Sequence, residues 1–241
     1  MLRKAFSRNL PGHQKGFHLR GPEVKRIETF SDAVFAFAVT LLIVSLEVPK
    51  NFDELLISLR GFFAFAICFV LLMLIWHDQH VFFRRYGMDD TWTVILNSAL
   101  VFIVLFFVYP LKFLFSLLFG ASIYGAGHSP FYITARQVPQ LMIIYGLGYM
   151  IIQVLFLLMY LHAYRQRVPL QLTRLELFDT RTKIIAQIIL MSVGLLSIIL
   201  ALLLPGAEAG NAGFAYMLIG VALTVHYMIR ARKRRRLYNE S

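Results

Sequence analysis

Six apolar runs constrain the fold of this 241-residue chain more than any other feature of its sequence. A hydrocarbon core of about 30 Å needs about 20 apolar residues in a helix, and each run approaches that length. The runs cover residues 30–48, 57–76, 94–109, 141–161, 184–204 and 214–229. Transmembrane β-strands alternate apolar and polar residues instead, so continuous runs exclude a β-barrel. The sequence therefore predicts an all-α, polytopic membrane protein with six transmembrane helices.

The composition supports the same class of protein. The chain is 59% hydrophobic and 15% charged, whereas a soluble domain needs more polar surface. We predict a basic tail at residues 1–25, a six-helix transmembrane domain at 26–230 and a second basic tail at 231–241. The first 25 residues lack the apolar segment of a secretory signal peptide. The single cysteine, Cys68, lies in an apolar run, and we expect it to be a small core residue.

The distribution of Lys and Arg predicts the orientation in the membrane. The formal net charge is +11, and 20 of the 24 basic residues lie before run one, between runs two and three, between runs four and five, or after run six. Basic residues in short loops are retained on the cytoplasmic side. We therefore expect cytoplasmic N- and C-termini and a multi-pass position in the plasma membrane. The basic tails are expected to contact anionic lipid headgroups and not nucleic acid.

Polar side chains cluster where runs one, two and three meet the same leaflet. Run one leaves the cytoplasm, run two returns to it, and run three leaves it again. The polar residues at these ends are Arg26, Ser31, Asp32, Trp76, His77, Asp78, His80 and Asn97. Polar groups at matched depth in an apolar setting tend to pair. We interpret the cluster mainly as a network that holds three helices in register.

Two other roles stay open for part of this cluster. His77 and His80 share a helix face, and Asp78 is adjacent, which would suit a metal site or a proton relay. Two histidines without a further ligand cluster are a weak metal signal, and few titratable groups extend the path across the membrane. We predict no metal and no cofactor. The chain also has no GxSxG, HExxH or Walker motif, so we predict no catalytic residues and no enzyme.

The apolar part of run one has a distinct stripe. Phe37, Leu41 and Val44 fall at i, i+4 and i+7, and Thr40 lies beside them. Such a stripe is usually a packing surface. If several copies of this helix surrounded an axis, the stripe would instead form stacked hydrophobic constrictions, which are known to gate channels by dewetting.

The connection between runs three and four contains a short apolar stretch at residues 111–124, directly after Pro110. It is too short to cross a bilayer and includes Lys112. We expect run three to continue past Pro110 as a kinked helix, or an interfacial helix to follow. A re-entrant pore helix is the alternative, although no TVGYG filter sequence follows.

The residues at the start of run one resemble a known signature. Arg26, Phe30, Ser31 and Asp32 in the pattern R-x-x-x-F-S-D, followed by Ala33 and Thr40-Leu41, resemble the first helix of the transmembrane protein 175 family of potassium channels, in its single-repeat prokaryotic form. The likeness extends to further positions in runs two and three. These are Trp76, His80, Phe83, Asn97 and Pro110.

The resemblance implies a potassium-selective channel without a voltage sensor, in which four subunits surround a pore lined by the first helix. Phe37, Leu41 and Val44 would then form the constriction, with Thr40 near the path of the permeant K+. The motif residues, with Trp76, His80 and Asn97, would form the network behind the pore. Phe37 stands where an aliphatic residue is common in the family, and four Phe rings would close the axis more tightly. The alternative function is a proton-linked transporter or membrane enzyme using His77, Asp78 and His80.

Overall fold

A computed structural model describes residues 17–21, 23–44, 50–124 and 132–239 of the chain. All regular structure within these ranges is helical. The α-helices are α1 (Arg26–Val44), α2 (Phe52–Arg60), α3 (Phe62–Tyr86), α4 (Thr91–Tyr124), α5 (Val138–Arg165), α6 (Arg174–Leu203) and α7 (Leu218–Asn239). Two 3-10 helices, Ala135–Gln137 and Gly206–Met217, precede α5 and α7. The predicted all-α class is confirmed.

Five segments of the described chain are long and apolar enough to cross a membrane: α3, most of α4, α5, α6, and the second 3-10 helix joined to α7. The first predicted run coincides with α1 over residues 30–44, and its last four residues lie outside the described part of the chain. Together these segments support a multi-pass membrane protein with the predicted order of spans.

The second apolar run differs most from its prediction. Residues 57–76 comprise the end of α2, a break at Gly61, and only the first part of α3, which continues to Tyr86. The helix continues because backbone hydrogen bonding does not stop where hydropathy falls, and it ends where Gly87 adopts a left-handed φ of 57°. Trp76 and His80 therefore lie inside α3 and not beyond its end.

The third run continues past Pro110, as expected, in one 34-residue helix. The re-entrant interpretation of residues 111–124 is wrong for this structure. Proline removes one helical N–H donor. The Tyr145 hydroxyl of α5 donates a hydrogen bond to the Pro110 carbonyl, so α5 contacts α4 at this point.

The helices pack around a core to which α1, α3, α4 and α5 contribute. Phe35, Ala38 and Leu42 are buried on α1, and Cys68 is a buried core residue of α3 as predicted. The close approach of α4 and α5 requires Gly148, because a Cβ there would lie 1.9 Å from the Phe107 ring. Helix packing of this kind replaces the hydrophobic effect as the main stabilising interaction within a bilayer.

One end of the bundle collects most of the described basic residues, and we call it the basic end. It contains the start of α1, the ends of α3 and α5 and the starts of α4 and α6, and α7 packs against α6 there. Arg234 of α7 forms an ion pair with buried Asp179 of α6, at 2.9 Å. Residues 231–239, assigned to a tail by sequence, continue α7 as helix.

Candidate functional site

Helix α1 has two faces of different character. Ser31, Phe35 and Ala38 face the other helices and are buried. The opposite face exposes small side chains, including Ala33 and Ala36, together with Phe37, whose side chain is 56% exposed. Within the part of the chain that the structure describes, therefore, this face of α1 has no protein to pack against.

The buried face of α1 is joined to α4 and α3 by a chain of side-chain hydrogen bonds. Asn97 Nδ2 donates to Ser31 Oγ over 2.8 Å, and Gln79 Nε2 donates to Asn97 Oδ1 over 2.6 Å. Ser31 in turn donates to the Ile27 carbonyl over 2.8 Å. All three side chains are buried, so the network links three helices where water cannot replace a lost partner.

Gln79 was missed by the sequence interpretation, although it lies between two residues of the predicted cluster. The available signal was a neutral amide inside an apolar helix, which is expensive unless it is paired. The sequence interpretation considered the titratable groups of His77, Asp78 and His80 instead.

A second contact fixes α1 to α3 at the same level. Trp76 Nε1 donates to Asp32 Oδ1 over 2.7 Å. The Trp76 indole also stacks on His80, with ring centroids 5.4 Å apart and planes 19° apart. The structure therefore brings together Asp32, Trp76 and His80. Arg26 and Phe30 lie on the exposed face of α1, away from these contacts.

Two residues of the alternative function, Asp78 and His80, have different partners. Asp78 Oδ1 lies 3.5 Å from Lys183 Nζ of α6, whereas His80 stacks on Trp76. The described residues contain no group of three or more His, Cys, Asp or Glu side chains that could hold a metal ion. Asp78 and His80 thus serve separate contacts between helices.

The predicted stripe lies partly on the exposed face of α1. Phe37 and Thr40 are exposed, and Leu41 is half-buried beside them. The backbone of Val44 ends α1, and its side chain lies outside the described part of the chain. The Thr40 hydroxyl donates to the Ala36 carbonyl over 3.0 Å, which leaves the oxygen lone pairs of Thr40 directed away from the backbone.

The sequence did not reveal the N-terminal arm, residues 17–21, which docks at the basic end immediately before α1. Arg20 binds both carboxylate oxygens of Glu176, at 3.0 and 2.8 Å. Glu176 is fully buried and also accepts the backbone N–H of His18. The arm continues along α3, where the Gly21 N–H donates to the Arg84 carbonyl. These contacts join the start of α1 to α6.

Asp90 connects two helices at the same end. It precedes α4, accepts the Thr93 hydroxyl over 2.6 Å, and lies 2.7 Å from His162 Nε2 of α5. Burial raises the pKa of the Asp90 carboxyl, but the hydrogen bonds from Thr93 and His162 outweigh it, so the pKa falls below its usual range. Asp90 is therefore ionised at neutral pH and holds α4 against α5.

Fold and site together define a polytopic α-helical membrane protein in which one helix is fixed on its buried face and exposed on the other. The family model for the endosomal/lysosomal potassium channel TMEM175 matches residues 26–108. A "Potassium channel" of Marivirga tractuosa is 40% identical over 250 aligned residues, covering 99% of this chain and all of that protein. The chain belongs to the TMEM175 family.

Further comparisons agree. Potassium channel Cha6605_3372 of Chamaesiphon minutus is 31% identical over 96 residues, which cover 36% of this chain and 47% of that protein. The crystal structure of a variant of the potassium channel MtTMEM175, bound to a nanobody–MBP fusion, matches with a TM-score of 0.81 and 38% identity over 92% of this chain and 99% of that one. A lysosomal potassium-selective channel TMEM175 homologue from Chamaesiphon minutus shares the fold, with a TM-score of 0.53 and 19% identity over 85% of this chain and 96% of that one.

Proposed function

We propose that this chain forms a potassium-selective channel in the plasma membrane, as a homotetramer whose pore is lined by α1. The observation that carries the proposal is the unpartnered face of α1, which opposes a face fixed to α3 and α4 by hydrogen bonds. The described residues of a single chain enclose no path along this face. Four copies around an axis would give it a partner and an ion path at once.

In this proposal the stripe on α1 controls the path. Phe37, Leu41 and Val44 form hydrophobic layers that exclude water when the pore is narrow. Thr40 contributes the polar atom: its hydroxyl donates to Ala36, so its oxygen is free to accept from water or to coordinate a cation. K+ is the permeant ion and not a resident cofactor, and no TVGYG filter is needed.

The hydrogen-bonded network near the start of α1 has a supporting role. Ser31, Asp32, Trp76, His80 and Asn97 set the rotation of α1 about its axis, which determines the side chains that face the pore. A shift of one residue along a helix changes the direction of the side chain by about 100°. A fixed rotation is therefore a requirement for a pore made of single side chains.

In this proposal the basic end faces the cytoplasm, and both termini lie on that side. Arginines and lysines favour the cytoplasmic side of a membrane, and basic tails favour anionic headgroups over nucleic acid as partners. Of the two function classes that the sequence left open, the channel agrees with the family of this chain.

The test is ion flux in proteoliposomes. Phe37→Ala, which removes four rings from the axis, is expected to raise K+ flux severalfold and to lower the preference for K+ over Na+. Thr40→Ala is expected to lower that preference without closing the pore. Phe102→Ala is the matched control, since Phe102 is also exposed, at 66%, but lies on α4. Flux and reversal potential unchanged in Phe37, Leu41 and Thr40 variants alike would show that α1 does not line the path.

A further inference from the structure

A group of arginines at the basic end lies apart from the proposed ion path. Arg167 follows α5, and Arg181 belongs to α6. Their guanidinium carbons lie 5.1 and 5.2 Å from the centroid of the same ring, that of Tyr164. Arg181 Nε also donates to the Tyr164 hydroxyl over 3.1 Å. One aromatic side chain thus holds two cations near each other.

Arg230 of α7 adds a third cation to this group. Its guanidinium carbon lies 4.6 Å from the ring centroid of Phe178, which precedes Arg181 by one helical turn. Residues three apart share a helix face, so Arg230 lies against the face of α6 that carries Arg181. The Arg230 Nε–H is buried and has no hydrogen-bond partner within the described residues. The three cations therefore lie around two aromatic rings, Tyr164 of α5 and Phe178 of α6.

The described part of the chain supplies no counter-ion to these three cations. The salt bridges at this end use other basic residues, such as Arg234 with Asp179. Arg167, Arg181 and Arg230 form none with a carboxylate in the ranges that the structure covers. Like charges held together repel, so an anion that binds between them is stabilised by all three.

The depth of the group identifies the anion. Arg181 lies three residues before the apolar run at 184–204, and Arg230 directly follows the run at 214–229. The cations therefore lie at the boundary between hydrocarbon and headgroups. On the membrane side of this boundary, α6 and α7 expose apolar side chains, namely Ile185, Ile188, Val225 and Met228. An anion with acyl chains fits both the cationic group and the apolar surface beside it.

We propose that Arg167, Arg181 and Arg230 form a binding site for the phosphate of an anionic phospholipid in the leaflet at the basic end. Arginine suits this ligand because its planar guanidinium can donate two parallel N–H bonds to phosphate oxygens. A zwitterionic lipid brings its own cation beside the phosphate, so it gains less from a site without carboxylates. This site does not depend on the proposed position of the pore.

Native mass spectrometry of the purified chain in detergent tests the site, with phosphatidylglycerol as the probe and phosphatidylcholine as the comparison. Arg181→Gln is expected to weaken phosphatidylglycerol binding about fivefold, and the Arg181→Gln/Arg230→Gln double variant about 25-fold. Arg232→Gln is the matched control, since it removes the same charge from an exposed position of α7. It is expected to change binding less than about twofold.

Three outcomes would overturn the proposal. Equal weakening by Arg232→Gln and Arg181→Gln would show general attraction to positive charge. Complete displacement of the lipid by millimolar inorganic phosphate would identify a site for the free anion instead. Unchanged binding in the double variant would remove the site altogether. If the double variant elutes differently on gel filtration, Arg167→Gln supplies the measurement, with about fivefold weakening expected.

Discussion

At the scale of single residues, the most informative feature is an amide that serves two partners. Asn97 donates to Ser31 and accepts from Gln79, so one side chain joins α1, α3 and α4. A buried polar group without a partner costs about 1–3 kcal/mol. We therefore expect substitution of Asn97 to destabilise the protein more than substitution of its neighbours on α4.

Asn97→Leu is expected to destabilise the protein by about 2–5 kcal/mol, because it leaves the Ser31 hydroxyl and the Gln79 amide without their partner. Thermal unfolding of the detergent-solubilised protein, followed by gel filtration after heating, measures the change. Ser98→Ala is the control, since Ser98 is the next residue of α4 and is exposed. Equal midpoints for both variants would contradict the importance of the network.

Asp32→Ala is expected to lower the yield of assembled protein more than it alters ion selectivity, because it removes the acceptor of the Trp76 indole N–H. Trp76→Phe should produce a similar loss, and the double variant little more, with a coupling of about 0.5–3 kcal/mol. Assembly yield and reversal potential are the two measurements. Normal assembly with altered selectivity would place Asp32 in the ion path and not behind it.

At the scale of elements, the N-terminal arm explains how α1 is positioned at its start. The arm reaches across the end of α3 to the buried carboxylate of Glu176 and leads directly into α1. The turn after α3 makes this possible. Gly87 adopts a φ of 57°, and a Cβ at this residue would lie 2.5 Å from the Arg20 carbonyl oxygen.

Gly87→Ala is expected to displace the arm and to destabilise the protein by about 1–3 kcal/mol, since the residue would combine a strained backbone with a steric clash. Gly220→Ala is the matched control, because a Cβ at Gly220 in α7 meets nothing within 4 Å. Thermal midpoints and protease cleavage near Arg20 report the two effects. A stable Gly87→Ala variant with a protected arm would refute this role of the turn.

At the scale of the whole molecule, the proposed channel covers the exposed face of α1 with other copies of the chain. The proposed channel predicts a mass of four chains in native mass spectrometry, at detergent concentrations that preserve α1 contacts. Phe37→Asp is expected to shift the population toward smaller species, because four carboxylates would meet in an apolar axis. Phe102→Asp, on α4, is the comparison. A wild-type protein that is monomeric throughout would favour transport within one chain.

Much of the architecture was predictable because hydropathy reports a local property. A run of apolar residues in a bilayer must satisfy its own backbone hydrogen bonds, which makes a helix the default. The positions of the runs, the continuation past Pro110 and the burial of Cys68 follow from this rule. Helix bounds near polar residues, as in α3, do not, because hydropathy falls before hydrogen bonding ends.

The sequence predicted which residues belong to the candidate site but not which of them form pairs. Ser31, Asp32, Trp76, His80 and Asn97 were recognisable as polar residues at matched depth and by their resemblance to a family signature. Their pairing required coordinates: Asp32 binds Trp76, and Asn97 binds Ser31 and Gln79. A polar residue in an apolar helix indicates that a partner exists, but the sequence does not identify that partner.

The sequence by itself determined the class of this protein, the order of its helices and the resemblance of its first helix to one family, because these depend on residue composition along the chain. Only the tertiary structure decided which face of α1 is fixed and which is exposed, that the N-terminal arm docks on Glu176, and that Arg167 and Arg181 stack on one tyrosine. The rotation of α1, the docking of the arm and the meeting of the arginines depend on contacts between residues distant in sequence. No local sequence pattern encodes such contacts.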